Sequence, residues 1–205
     1  MKIILFGATG GVGQQVVLQG LDAGFEITAF VRTPAKMSVT HPRLTIVQGD
    51  AFDLDQVTQA IAGHDAVVSC LASSNGMKKT NELQTMIGHV VSGMKKHGVK
   101  RIVYTASAGI HKELPGLSGQ LIMQMLKHAL SDHKAAVKTI VSNDLIYTIV
   151  RPMGLTHDEL TGHYRESTTG VPSNSRSISR ADVAHFIIKA LHDKAYHQSS
   201  VGIAS

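Results

Sequence analysis

Apolar residues in this chain come in short unbroken runs rather than in strict alternation. The runs fall at Ile3–Phe6, Glu26–Val31, Leu44–Val47, Ala66–Ser69, Arg101–Tyr104 and Tyr147–Val150, and they are rich in β-branched side chains. Runs that are apolar on both faces predict strands of a parallel sheet covered by helices on each side. Between them the period changes. Val12, Val16 and Val17 open one helical stripe, and Ile87, Val90, Val91 and Met94 repeat at helical spacing. Val183, Phe186, Ile187, Ala190 and Leu191 do the same, after Ser179 and Asp182 spaced as a capping box. Alternating strands and helices predict an α/β fold, a single doubly wound parallel sheet with helices on both faces, over one domain spanning residues 1–205. Residues 152–178 interrupt this rhythm with Thr, Gly, Ser and His. The stretch reads as a long loop at the carboxyl edge of the sheet, where such folds bind ligands. A disordered insertion is the alternative.

The chemistry begins where the first run breaks, at Phe6-Gly7-Ala8-Thr9-Gly10-Gly11-Val12-Gly13. A strand, a glycine-spaced turn and a helix in that order form a dinucleotide fingerprint. The glycines permit a tight turn and close approach of a pyrophosphate, and the first-turn N–H groups point at the phosphates. A Rossmann-type sheet is the expected setting. The second run ends in Arg32-Thr33-Pro34-Ala35-Lys36. An NAD site usually places a carboxylate there for the ribose 2′-hydroxyl, whereas an arginine suits a 2′-phosphate, so NADP(H) is the expected cofactor. Asp50, after the third run, reads either as an acceptor for the adenine amino group or as the N-cap of a helix over 52–62. Ser69-Cys70-Leu71-Ala72 should lie along the nucleotide, with Cys70 packing rather than reacting.

Ser107, just beyond the fifth run, is a candidate to orient a substrate or relay a proton. A tyrosine four residues before a lysine, the proton donor of short-chain dehydrogenases, is absent: the helical stretch holding His133-Lys134 has Leu130 at that spacing. No tyrosine stands between Tyr104 and Tyr147, so tyrosine-based proton donation has no evident residue.

Composition narrows the classes. The formal charge of +5 is spread in pairs such as Lys78-Lys79 and Lys95-Lys96, which argues against a nucleic-acid or membrane surface. A lone cysteine precludes an internal disulfide and fits a reducing, cytoplasmic setting. No apolar run approaches bilayer-spanning length. The 12 histidines lack partners at ligand spacing, so no metal site is expected.

The chain resembles the atypical short-chain dehydrogenases, and within them the biliverdin-IXβ reductase/flavin reductase group and its NmrA-like relatives. The resemblance is carried by Phe6–Gly10, Val31-Arg32, Gly49-Asp50, Gly63–Val67, Met94–Lys100, Leu160–Tyr164, Ser177–Ser179 and Asp182–Phe186. It implies that Gly7, Thr9, Gly10, Val12 and Gly13 hold the pyrophosphate, and Arg32 and Thr33 the 2′-phosphate. Asp50 and Ala51 would take the adenine, with Leu71 and Ala72 beside the adenosine. Pro152, Met153 and Gly154 would follow the nicotinamide end. Ser107 matches the serine near the nicotinamide, and His133 falls where the reductases carry an active-site histidine. The chain departs from those reductases at Gly109, where they have an aromatic residue, and at Arg151-Pro152-Met153, which has the NmrA-like form. The resemblance implies hydride transfer from NADPH to a planar acceptor (flavin, quinone or biliverdin-like) by a monomer or weak homodimer. The competing expectation is a non-catalytic NADP(H) sensor. A sugar epimerase would need the missing tyrosine–lysine pair.

Overall fold

A computed structural model describes residues 1–74 and 78–205. Strands β1 (Lys2–Phe6), β2 (Glu26–Val31), β3 (Leu44–Gln48), β4 (Ala66–Ser69), β5 (Arg101–Thr105) and β6 (Ile146–Pro152) occupy the six predicted positions. Four more follow: β7 (Gly154–Thr156), β8 (Arg165–Ser167), β9 (Ser177–Ser179) and β10 (Ser199–Ala204). The main sheet has the order β3-β2-β1-β4-β5-β6-β10-β8, parallel except for β8, which pairs antiparallel with β10. Strand order reverses between β1 and β4, and their carboxyl ends mark the crevice where such sheets receive ligands.

Each face of the sheet has its own core. On one side Ile3, Leu5 and Val68 pack with α1 (Gly11–Asp22) and α6 (Arg180–His192). On the other, Ile4, Phe6, Ile102 and Tyr104 pack with α2 (Leu54–Ile61), α3 (Glu82–His97) and α5 (Lys127–Val141). The period-2 geometry of a strand divides its neighbours between these layers, which is why runs apolar on both faces were needed. A further helix, α4 (Gly116–Met125), lies almost wholly at the surface, with Leu117, Leu121 and Met125 exposed.

Two expectations are corrected. Residues 152–178 are neither a plain loop nor a disordered insertion, because β7 pairs with β9, and β8 extends the sheet. The segment is also pinned from below: the buried Asp182 carboxylate accepts from Thr161 N–H at 3.0 Å, Gly162 N–H at 2.8 Å and the Thr161 hydroxyl at 2.9 Å. Second, Asp50 is not a helix cap. The helix starts at Leu54, and Asp53 caps it by accepting from the N–H groups of Asp55 and Gln56. The Asp50 carboxylate instead accepts from Phe52 N–H at 3.0 Å.

Candidate active site

The crevice at the carboxyl ends of β1 and β4 consists of two adjoining cavities of about 200 and 350 Å³. They share Gly10, Cys70, Leu71 and Ala72. The first runs outward past Gly7, Thr9, Arg32, Asp50 and Ala51. The second runs the other way past Val12, Ser107, His133, Pro152 and Met153. The strand order explains this pairing, since β2 and β3 lie to one side of the reversal and β5 and β6 to the other.

The centre of the crevice is built for an anion. Gly7 has a left-handed φ of 84°, and a Cβ there would stand 2.5 Å from the Cys70 carbonyl oxygen. Helix α1 follows with Gly10 as its N-cap, and the N–H groups of Gly11, Val12 and Gly13 have no intrahelical acceptor. No acidic side chain occupies that first turn, so nothing within it competes with a bound phosphate. The Arg180 side chain lies over the turn, such that a Cβ on Gly11 would be 2.6 Å from its Cδ, and its guanidinium donates to the Thr156 carbonyl at 2.8 Å.

Three of the residues singled out from the sequence do not line the crevice. Gly13 is buried in α1, where a Cβ would come within 2.1 Å of the Gly7 carbonyl oxygen, so its observed part is to let the helix approach the turn. Thr33 precedes a short 3₁₀ turn at Pro34–Lys36 and lies outside the lining. Gly154 is spent on β7, donating to the Arg176 carbonyl at 3.1 Å. Lys36, four residues beyond Arg32, lines a separate hollow with Gln14 and Leu18.

At the inner end, Ser107 and His133 line the same cavity although they stand 26 positions apart in sequence. The Ser107 hydroxyl donates to the Ala108 carbonyl at 3.1 Å. Nδ1 of His133 lies 2.8 Å from the Tyr104 hydroxyl, which β5 projects from the fully buried side of the α5 layer. Burial holds the imidazole down to about 4, against a smaller opposing pull from Asp132, so the ring is neutral near pH 7. Burial likewise pushes the Tyr104 phenol far above its ordinary range, with the Asp132 charge adding to it. The donor in this bond depends on the tautomer: with the phenol donating to Nδ1, the imidazole proton stands on Nε2. Cys70 sits in the wall with its thiol pushed up to about 12 by burial, and it is therefore inert.

Sequence reading missed several lining residues. Phe30 and the partly exposed Phe52 offer flat surface beside Asp50 and Arg32. Phe52 was hidden inside a helix drawn two residues too long at its start. Arg180 had a usable signal, because a cation in the first turn of a helix opposes the macrodipole and so wants another explanation. Tyr104 gave none beyond its place two residues after Ile102 on one strand face. Among the described residues, no group of three or more His, Cys, Asp or Glu is arranged to hold a metal ion, and no helix is long and apolar enough to cross a membrane.

Comparison with known proteins agrees with this geometry. A reductase of Aspergillus terreus, pytE, is 26% identical over 98% of this chain and 95% of its own length. A short-chain dehydrogenase/reductase of Veillonella parvula, solved in complex with NADP, superposes with a TM-score of 0.84 at 21% identity over 100% of this chain and 94% of its own. The anaerobillin reductase ChuY of Escherichia coli O157:H7 superposes with a TM-score of 0.79 at 21% identity, covering 98% and 97% of the two chains. Several curated steroid dehydrogenases and dihydroflavonol reductases are longer, and the chain spans about a third of their length. The family model described as NAD(P)H-binding matches residues 7–194, from the glycine turn to just past α6, and the chain belongs to that NAD(P)H-binding family.

Proposed function

We propose that the protein is an NADPH-dependent reductase that passes hydride to a planar, electron-poor acceptor of the flavin, quinone or biliverdin-like kind. The observation that carries this reading is that Arg32 lines one end of the crevice, Ser107 and His133 line the other, and a glycine turn with free helix N–H groups lies between them. A dinucleotide laid along it puts its adenosine beside Phe52 and Arg32 and its nicotinamide beside Ser107 and His133. Arg32 can meet a 2′-phosphate with a bidentate, charge-assisted contact that a 2′-hydroxyl does not offer.

Bound NADPH supplies the hydride, and the chain's part is orientation and exclusion of water. The Ser107 hydroxyl, which donates to the Ala108 carbonyl, would orient the nicotinamide or the acceptor. Nε2 of His133, neutral and with its proton fixed by Tyr104, donates a hydrogen bond to the acceptor where negative charge develops. His133 is not a strong acid in this arrangement, since losing its proton would leave an anionic imidazole or demand a buried tyrosinate. The acceptor's proton comes from solvent. A reductase relative matched over nearly its full length and a fold shared with a bilin reductase support the reading.

The test is oxidation of NADPH by purified protein with FMN, quinones or linear tetrapyrroles as acceptors. Acceptor-dependent turnover, faster with NADPH than with NADH, is expected. Tight NADPH binding without turnover on any planar acceptor would leave a cofactor sensor as the better description.

A further inference from the structure

Beside the Ser107–His133 end lies a second hollow of about 390 Å³ that the cofactor reading leaves without a purpose. It opens between α4, α5 and the turn after β5. Its floor is apolar, formed by Ile110, Met123 and Leu130, and its rim carries Lys112, Lys127 and Lys134. No carboxylate lines it. None of the three lysines takes part in an ion pair among the described residues. The two nearest acids in sequence are turned elsewhere. Glu113 is paired with Arg151, and Asp132 accepts from Thr80, Leu83 N–H and Gln84 N–H at the start of α3.

Gly109 keeps the hollow open. It adopts φ +100°, and a Cβ there would already stand 3.2 Å from the Leu130 side chain, so any larger residue would occupy the floor. The hollow shares no lining residue with the Ser107–His133 cavity, but its walls come from the same two segments: Ser107 is two residues before Gly109, and His133 stands on α5 between Leu130 and Lys134.

We propose that this hollow receives the remote end of the acceptor, and that the acceptor is an aromatic acid: a planar apolar body bearing a carboxylate, sulfonate or phosphate read by Lys112, Lys127 and Lys134. The assignment rests on the reductase reading for the word acceptor, but the anion-binding property can be tested apart from turnover. Three exposed ammonium groups around one hollow should give an anionic ligand a preference of about tenfold or more.

The experiment measures binding of anilinonaphthalene sulfonate and of its uncharged analogue N-phenylnaphthylamine to the NADP-saturated protein by dye fluorescence. The sulfonate should bind about tenfold tighter or more. Lys112→Gln/Lys127→Gln/Lys134→Gln should bring the ratio near one while leaving the uncharged dye and NADPH affinity unchanged. Ser131→Phe, which fills the hollow from an exposed helical position, should weaken both dyes. Equal affinity for the two dyes, or a preference that survives the triple substitution, overturns the assignment. Turnover with FMN and riboflavin separates the two readings. Dye discrimination without turnover upholds the anion site and defeats the reductase, whereas equal turnover of both flavins without dye discrimination upholds the reductase and defeats the anion site.

Discussion

The Tyr104 hydroxyl lies 2.8 Å from Nδ1 of His133, joining the fifth strand to the helix that flanks the inner end of the crevice. The hydrogen bond orients the imidazole, and burial keeps the ring neutral. With His133 held down to about 4, protonation of the ring begins only well below neutrality. Acceptor reduction should therefore be level from alkaline pH down to near pH 5 and change only as the pH approaches about 4. Tyr104→Phe should lower kcat by about three- to tenfold, the worth of one hydrogen bond, with little change in NADPH affinity. A pH–rate profile with a midpoint near the ordinary histidine value would contradict this picture.

Arg32 reaches the crevice from the end of β2, beside Asp50 and Phe52. Arg32→Ala should weaken NADPH binding by about tenfold, since a charged hydrogen bond is worth roughly 1.5–3 kcal/mol and this side chain is solvent-exposed. NADH binding should barely move. Titration of both cofactors by protein fluorescence decides it, and equal losses for the two would remove Arg32 from the 2′-phosphate role.

The parallel sheet and its two helical layers were legible because β-branched runs and helical stripes read the same way at short and long range. Ile87, Val90, Val91 and Met94 all turned out buried on one face of α3. What escaped was held by contacts distant in sequence. Ser199–Ala204 is an interior strand, next to the edge, made mostly of small residues, with too little apolar bulk to announce itself. Helix α4 buries only Gly119, so no stripe marks it. In the site, the glycine turn and Arg32 could be found because their chemistry is local. Tyr104 and His133, 29 residues apart, become partners only through the packing of α5 on β5.

Asp182 ties the segment that carries Met153 and Leu155 to the start of α6. Burial opposes its charge, but the N–H groups of Gly162 and Thr161 and the hydroxyls of Thr161 and Ser179 outweigh that and hold its carboxyl below the usual range. A depressed pKa in the folded state means that stability is present above the ordinary carboxylate range and is lost as pH falls through the lowered value. Asp182→Asn should cost about 1.5–3 kcal/mol by denaturant unfolding and should flatten that acid limb. It should also raise the KM for the acceptor more than that for NADPH.

Arg151 and Glu113 form a buried ion pair, their side chains 1% and 6% exposed, with Arg151 also donating to the Ser200 hydroxyl at 3.0 Å. The pair anchors the turn that carries Ser107 and Gly109. Glu113→Leu leaves an unpaired buried guanidinium and should cost about 3–5 kcal/mol, whereas Glu113→Leu/Arg151→Met should recover most of it. Thermal unfolding of the two variants checks this. A double variant no more stable than the single would show that the cost lies in repacking rather than in the stranded charge.

The central claim is that hydride leaves NADPH at the end of the crevice lined by Ser107 and His133. The most direct measurement mixes the protein–NADPH complex rapidly with FMN under anaerobic conditions and follows both chromophores, using NADPH with either hydrogen or deuterium at nicotinamide C4. The account predicts that nicotinamide and flavin absorbance fall together in one phase, slowed by deuterium and slowed further in Ser107→Ala. Binding of both molecules with neither absorbance changing would contradict it.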